Sequence, residues 1–199
     1  MPEVIYVATR NPHKVDEFRA LLAGVAERVE PLPDGTGECP ENGVSFEANA
    51  VEKAVYYARF CPGWVLADDS GLCVDALDGA PGVRSARYAG VHGDSAANNR
   101  KLLAALADVP PADRRAQFVC AIAVWHREAR RGWVVRGEVP GYIAQVPAGA
   151  GGFGYDPLFW LPELGRTFAE LSAEEKNRWS HRARAVQALL AVWGRGDVP

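Results

Sequence analysis

VIYVATRNPHKVDEFRALLAG, residues 4–24, is the stretch on which the reading of the fold turns. Val4, Ile5 and Val7 make a short β-branched run that reads as a buried strand. Asn11 then offers a side-chain oxygen to the N–H groups of a helix start, and Pro12 is preset for the first helical position. Val15, Phe18, Leu21 and Leu22 return at helical spacing, and Gly24 can end the helix. The chain therefore opens as strand, tight turn and helix. A helix N-terminus directly after a strand presents unpaired N–H groups and a positive dipole end, a natural seat for an anion. Thr9 and Asn11 add hydrogen-bonding groups there; Arg10 and Lys14 add charge. An ordinary capped helix with surface cations is the plainer alternative.

Working outward, a second strand is expected at about residues 29–32. Residues 45–61 are rich in good helix formers and stop before Pro62. WVLADDSG (64–71) is a short apolar run that ends in acidic residues, and a helix from about 94 to 107 follows the loop GAPGVRSARYAGVHG. AQFVCAIAVWH and GWVVRGEVPGYIAQV read as two long strands joined by the charged turn REARR. Ser172 and Glu175 form a capping box before a short helix. The last helix, from about 180, puts Val186, Leu189, Leu190 and Trp193 on one face. Helices mixed with long neighbouring strands mean α/β or α+β, and the pattern alone leaves the topology open. No repeat and no long linker divides the chain, so residues 1–199 are read as one domain.

Composition narrows the classes. With 199 residues, 48% hydrophobic and 24% charged, the chain is of a globular, soluble kind. Its net charge of −3 argues against a general nucleic-acid binder, so a phosphate-bearing ligand needs a local cluster of cations. The N-terminus lacks the pattern of a secretory signal, and no apolar run approaches the roughly 20 residues of a membrane span. Cys39, Cys61, Cys73 and Cys120 are scattered, without zinc-like spacing, and are read as reduced thiols of a cytoplasmic protein.

Four further groups carry candidate chemistry. Asp68 and Asp69 in ADDSG would repel one another if both were half buried. A divalent cation relieves that repulsion, and magnesium favours one or two carboxylates with water and phosphate oxygens. Neighbours on an extended strand face opposite ways, so at most one is expected to reach a metal directly. Glu41 in a loop and Lys53 in the following helix matter if they converge on Asp69. Lys176, His181 and Arg182, in EEKNRWSHR, are donors near helix starts, with Ser180 placed to cap. Finally, GAGGFGYDPLFW (149–160) packs glycines 149, 151, 152 and 154 before and after Phe153, then Tyr155 and Asp156. Such a loop can turn tightly and present a ring to something flat and polar.

Taken together these blocks resemble the inosine-triphosphate pyrophosphatase family, the non-canonical purine nucleoside-triphosphate pyrophosphatases. VATRNPHK, ENGVSFEANAVEKA, LADDSGLCVDALDGAPGVRSARYAG, PAGAGGFGYDPLF, ELSAEEKN and SHRARA occur in the family's order between residues 7 and 185. One departure stands out: the family's first block usually reads Thr-Gly-Asn, and here Arg10 replaces the glycine. If the backbone there is ordinary, Arg10 is tolerated and can add a phosphate contact.

The resemblance implies a mixed α/β fold with a long central sheet and two lobes around a nucleotide-binding cleft, usually as a homodimer. It implies hydrolysis of ITP, dITP and XTP to the monophosphate and pyrophosphate with Mg2+. In that scheme Asp69 and Glu41 hold the metal, Asp69 is also the proton acceptor, and Lys53 is catalytic beside it. Asp68 either backs a metal ligand or competes as a base. Thr9, Arg10, Asn11, Lys14, Lys53 and Ser70 hold the triphosphate. Phe153, with Gly154 and Tyr155, seats the purine, and Lys176 or Arg182 donates to the oxygen at C6, with Asp156 and His181 either orienting those donors or touching the base and sugar. Two rivals remain: a pyrophosphatase for another modified nucleotide, and a nucleotide sensor without turnover.

Overall fold

The computed structural model describes residues 2–193. Its strands are β1 (Val4–Val7), β2 (Arg28–Pro31), β3 (Trp64–Val74), β4 (Arg115–His126), β5 (Arg131–Ile143), β6 (Phe159–Leu161) and β7 (Arg166–Thr167). Its α-helices are α1 (Pro12–Leu21), α2 (Phe46–Tyr57), α3 (Ser95–Ala105), α4 (Ala173–Trp179) and α5 (His181–Trp193). The strands form one mixed sheet in the order β2-β1-β3-β4-β5-β6-β7. β1 runs parallel to β2 and β3, whereas β6 is antiparallel to β5 and β7. The fold is thus mixed α/β, as the element pattern and the resemblance both imply.

The chain divides into two compact units. The first takes residues up to 69, 120–137 and from 182 onward; the second takes 70–119 and 138–181. Each has its own core. In the first, Ile5 and Val7 of β1, Phe18 and Leu22 around α1, Leu66, Ile122 and Leu189 pack together with almost no exposure. Trp64 and Trp193 close that core, their ring centroids 4.8 Å apart. The second core is aromatic: Phe118, Phe159 and Phe168 meet at 4.5, 5.6 and 5.0 Å between ring centroids. Deleting a buried ring of this kind costs about 3–5 kcal/mol.

The opening strand, turn and helix form where expected, with the Asn11 Oδ1 accepting from His13 N at 3.0 Å. The capping box of Ser172 and Glu175 also forms, ahead of α4. Several boundaries differ. β3 does not stop at its acidic residues but runs on through SGLCV, because Leu72 and Val74 enter the second core. Asp68 and Asp69 therefore lie in mid-strand. α2 ends at Tyr57 rather than near residue 61, since Phe60 N turns back to the Tyr57 carbonyl and buries Cys61. β5 stops at Ile143, three residues short of the expected end. On α5, Val186, Leu189 and Trp193 are buried, but Leu190 is 37% exposed at the edge of that face. No helix among the described residues is long and apolar enough to cross a membrane, and all four cysteines are free thiols.

Candidate active site

In the first unit, β1 delivers the chain into the start of α1. Thr9 Oγ1 accepts from Asn11 N at 3.2 Å and Asn11 Oδ1 from His13 N, so the acceptor ends of both side chains shape the helix entry while the Thr9 O–H and Asn11 Nδ2 remain donors. Positive φ among the described non-glycine residues occurs only at Asp78 and Arg130, so the backbone at Arg10 needs no glycine. The Arg10 guanidinium reaches the Thr36 carbonyl and, at 3.3 Å, the Glu38 carboxylate. Lys14, in the first turn of α1, donates to both oxygens of Asp68 at 3.0 and 2.9 Å.

The pleat of β3 turns two adjacent carboxylates to different surroundings. Asp68 is 2% exposed. Besides Lys14 it accepts from Arg182 Nε at 3.3 Å, and Arg182 Nη1 in turn donates to Glu17 of α1. Burial alone would raise the Asp68 carboxyl, but Lys14, Arg182 and Lys53 outweigh it and hold the group far below the usual carboxylate range. The same pairing keeps the fully buried Arg182 charged. A carboxylate so firmly ionised, with both oxygens engaged by cations, is a poor proton acceptor. It orients Lys14 and Arg182 instead.

Asp69 has different company. Asn49 of α2 donates to its Oδ2 at 2.9 Å, and Lys53, one helical turn on, approaches its Oδ1 at 3.5 Å. Lys53 also pairs with Glu41 at 3.1 Å. The ammonium is thus shared between two carboxylates. Burial pushes the Asp69 carboxyl up, and Lys53 and Asn49 only partly offset it. Burial would lower Lys53, but Asp69, Asp68 and Glu41 together raise it. Ser70 follows on β3 and is partly exposed.

The second unit holds the glycine loop. Gly149 has φ of +80°, and a Cβ there would come within 2.4 Å of the Ala169 backbone. Gly152, at φ +70°, leaves room for Asp156, whose Oδ2 would lie 2.1 Å from an added Cβ. That oxygen accepts from Phe153 N at 2.8 Å and from Lys176 Nζ at 2.7 Å. Lys176 Nζ also sits 4.6 Å from the centre of the Phe153 ring, a cation–π contact. The Gly154 carbonyl accepts from Asn99 of α3 at 3.0 Å.

Two further residues expected at the nucleotide are buried here. Tyr155 is 4% exposed and lies in the second core, its hydroxyl donating to the Ser85 carbonyl at 2.9 Å. Its aromatic side chain is drawn inward because the next apolar residues, Leu158 and Phe159, fill the same core. His181 is 4% exposed and stacks on Phe118 at 4.8 Å and 12°.

The structure thus brings Lys14, Asp68 and Arg182 into one cluster and Glu41, Lys53 and Asp69 into another. Phe153, Asp156 and Lys176 form a third. Reading the sequence missed Glu17, Asn49 and Asn99. Glu17 lies three residues after Lys14, and Asn49 four before Lys53, so each shares a helix face with a residue already singled out. That spacing was the available signal.

Among the described residues, no group of three His, Cys, Asp or Glu side chains is arranged to hold a metal alone. Two carboxylates, Asp69 and Glu41, do converge on a single cation, the Lys53 ammonium, within 3.5 Å. Magnesium is often bound by one or two carboxylates with water and substrate phosphates, and that donor set fits it.

Comparison with known proteins places the chain in a family. The model of the Ham1 family matches residues 5–192. A protein of Leuconostoc mesenteroides named dITP/XTP pyrophosphatase is 45% identical over 97% of this chain and 99% of its own length. One of the same name from Geobacillus kaustophilus is 49% identical over 97% and 95%. The solved Ham1 protein of Staphylococcus aureus superposes with a TM-score of 0.85 at 39% identity, covering 97% of this chain and all of that one. Matches that run almost end to end leave little of the sequence outside the shared pattern, and the chain belongs to the Ham1 family.

Proposed function

We propose that this protein hydrolyses non-canonical purine nucleoside triphosphates, ITP, dITP and XTP, to the monophosphate and pyrophosphate. The observation that carries the reading is the division of labour on β3: Asp68 is locked between cations, while its neighbour Asp69 faces Lys53 and Glu41. Near full-length relatives named dITP/XTP pyrophosphatase support the substrate class.

In this reading Asp69 and Glu41 hold Mg2+, which supplies charge neutralisation at the phosphate oxygens and at the leaving pyrophosphate. Asp69 orients the attacking water and takes its proton. The water oxygen bonds to the α-phosphorus as the bond from that phosphorus to the bridging oxygen breaks, and the electron pair leaves with pyrophosphate. Lys14 and Lys53 supply positive charge toward the triphosphate, with Thr9, Asn11 and Ser70 as hydrogen-bonding groups. Arg10 takes no essential part, since its guanidinium is held by Thr36 and Glu38.

At the base, Phe153 offers a stacking face worth about 1–3 kcal/mol that is indifferent to base identity. Selection against adenine rests on donors to the oxygen at C6, where adenine carries an amine; guanine shares that oxygen, and its rejection rests on its 2-amino group. Lys176 is aimed by Asp156. Arg182, a planar fork with five N–H groups, is held in one orientation by Asp68 and Glu17, as a donor to a base oxygen must be. A site built on such bonds can reject a mismatched base by about four to five decades. Work on the free nucleotide pool assigns the protein to the cytoplasm. A homodimer completes the reading, to be checked by mass in solution.

The test is pyrophosphate release from ITP, dITP, XTP, GTP and ATP, with magnesium and with chelator. Metal-dependent release confined largely to ITP, dITP and XTP is expected. Equal release from all five would remove the base-recognition account, and none from any would remove the enzyme.

A further inference from the structure

Helix α2 grips the loop before it residue by residue. Asn49 Oδ1 accepts from Gly43 N at 2.8 Å, Glu52 Oε2 accepts from Asn42 N at 3.3 Å, and Lys53 Nζ pairs with Glu41 at 3.1 Å. Of these three, Asn49 and Lys53 also reach β3, Asn49 donating through Nδ2 to Asp69 Oδ2 at 2.9 Å and Lys53 approaching Oδ1 at 3.5 Å, so that the Oδ2 contact is made by the amide. It is 1% exposed, and the fit around it is tight: a Cβ on Gly43 would lie 2.5 Å from its Oδ1. A side-chain amide has one donor end and one acceptor end, and both ends of Asn49 are committed.

We infer that Asn49 is the positioning residue that ties the loop of Glu41 to Asp69 and selects which Asp69 oxygen works. With Oδ2 engaged by the amide, Oδ1 is the oxygen turned toward Lys53 and hence toward Glu41. The two carboxylates proposed to share the metal are thereby referenced to one rigid side chain on a helix. Carboxylates held this way meet a metal and its phosphates in one geometry, and a small loosening is costly because positioning is most of what such a site supplies. The inference rests on the proposed reaction for its kinetic consequence but not for its structural one.

Two variants separate the two ends of the amide. Asn49→Asp keeps an acceptor for Gly43 N and loses the donor to Asp69; Asn49→Ala loses both. The structural readout is amide hydrogen exchange at Gly43 in metal-free protein. It should quicken at least about tenfold in Asn49→Ala and stay near wild type in Asn49→Asp. The kinetic readout is the magnesium dependence of pyrophosphate release from ITP. In both variants kcat should fall at least about tenfold and half-activation should need about tenfold more magnesium, while KM for ITP at saturating magnesium changes less than about threefold. If the alanine variant does not fold, Asn49→Asp decides. Wild-type kcat and magnesium dependence in Asn49→Asp would overturn the inference, as would unchanged Gly43 exchange in a folded Asn49→Ala. A wild-type protein that releases no pyrophosphate would sink the proposed reaction instead, and Gly43 exchange would still judge the tether.

Discussion

Replacing Asp68 with asparagine removes one charge from a buried cluster and leaves its shape. Asp68 is 2% exposed and balances Lys14 and Arg182, the latter 1% exposed. Breaking a buried pair by removing one partner costs about 3–5 kcal/mol. The lower end applies, because the asparagine oxygen still accepts one hydrogen bond and Arg182 keeps Glu17. A loss of about 3 kcal/mol at pH 7 corresponds to a fall in Tm of about 6–12 °C in a chain of this size.

The pH dependence has a definite sign. The folded-state value of Asp68 lies far below the unfolded value of about 3.9, so its stabilisation is complete above that value and is lost as pH falls toward the folded one. Asparagine does not titrate. The stability gap between wild type and Asp68→Asn should therefore be flat from about pH 5 to 8 and narrow by about 1 kcal/mol at pH 3. Urea unfolding of metal-free protein at several pH values measures it. A gap below about 1 kcal/mol at pH 7, or one that does not shrink in acid, would refute the assignment of Asp68 as the ionised anchor of two cations.

Four further outcomes are expected. Asp69→Asn should slow pyrophosphate release from ITP by at least about two decades, the usual scale of general-base help, and near-normal turnover would end that role. Phe153→Ala should raise KM for ITP and ATP by a similar factor, between about 5- and 150-fold, matching 1–3 kcal/mol of stacking; a change confined to one base would argue for edge recognition by that loop. Gly152→Ala forces a Cβ onto the Asp156 carboxylate at a positive φ. It should uncouple Asp156 from Lys176 and weaken the preference for ITP over ATP at least about tenfold, and a crystal structure retaining the 2.7 Å pair would contradict this. Arg10→Gly should leave kcat/KM for ITP within about threefold, whereas a tenfold loss would show that the arginine touches phosphate.

Much of this was open to reading in one dimension. The strand, turn and helix at residues 4–24 follow from local rules alone: β-branched residues, a capping asparagine, a proline at the first helical position and an apolar stripe. The capping box of α4 is equally local. Boundaries went astray where distant packing overrode local character. β3 runs through two aspartates because the chain on either side of them is needed in two different cores. Tyr155 lies in the second core and His181 stacks on its Phe118, and spacing along the chain does not say which way such a ring turns.

The sequence by itself determined the element types, the inventory of charged groups and, through six ordered blocks, the family. Those depend on residue identity and short spacing, which a linear string contains. Only the tertiary structure decided that two adjacent aspartates have different partners. It did so by bringing Lys14 and Arg182, the latter backed by Glu17, to Asp68, and Asn49 and Lys53, the latter shared with Glu41, to Asp69. Residues more than a hundred positions apart set that difference, and the chemistry of a carboxylate lies in the charges and donors that folding brings to it.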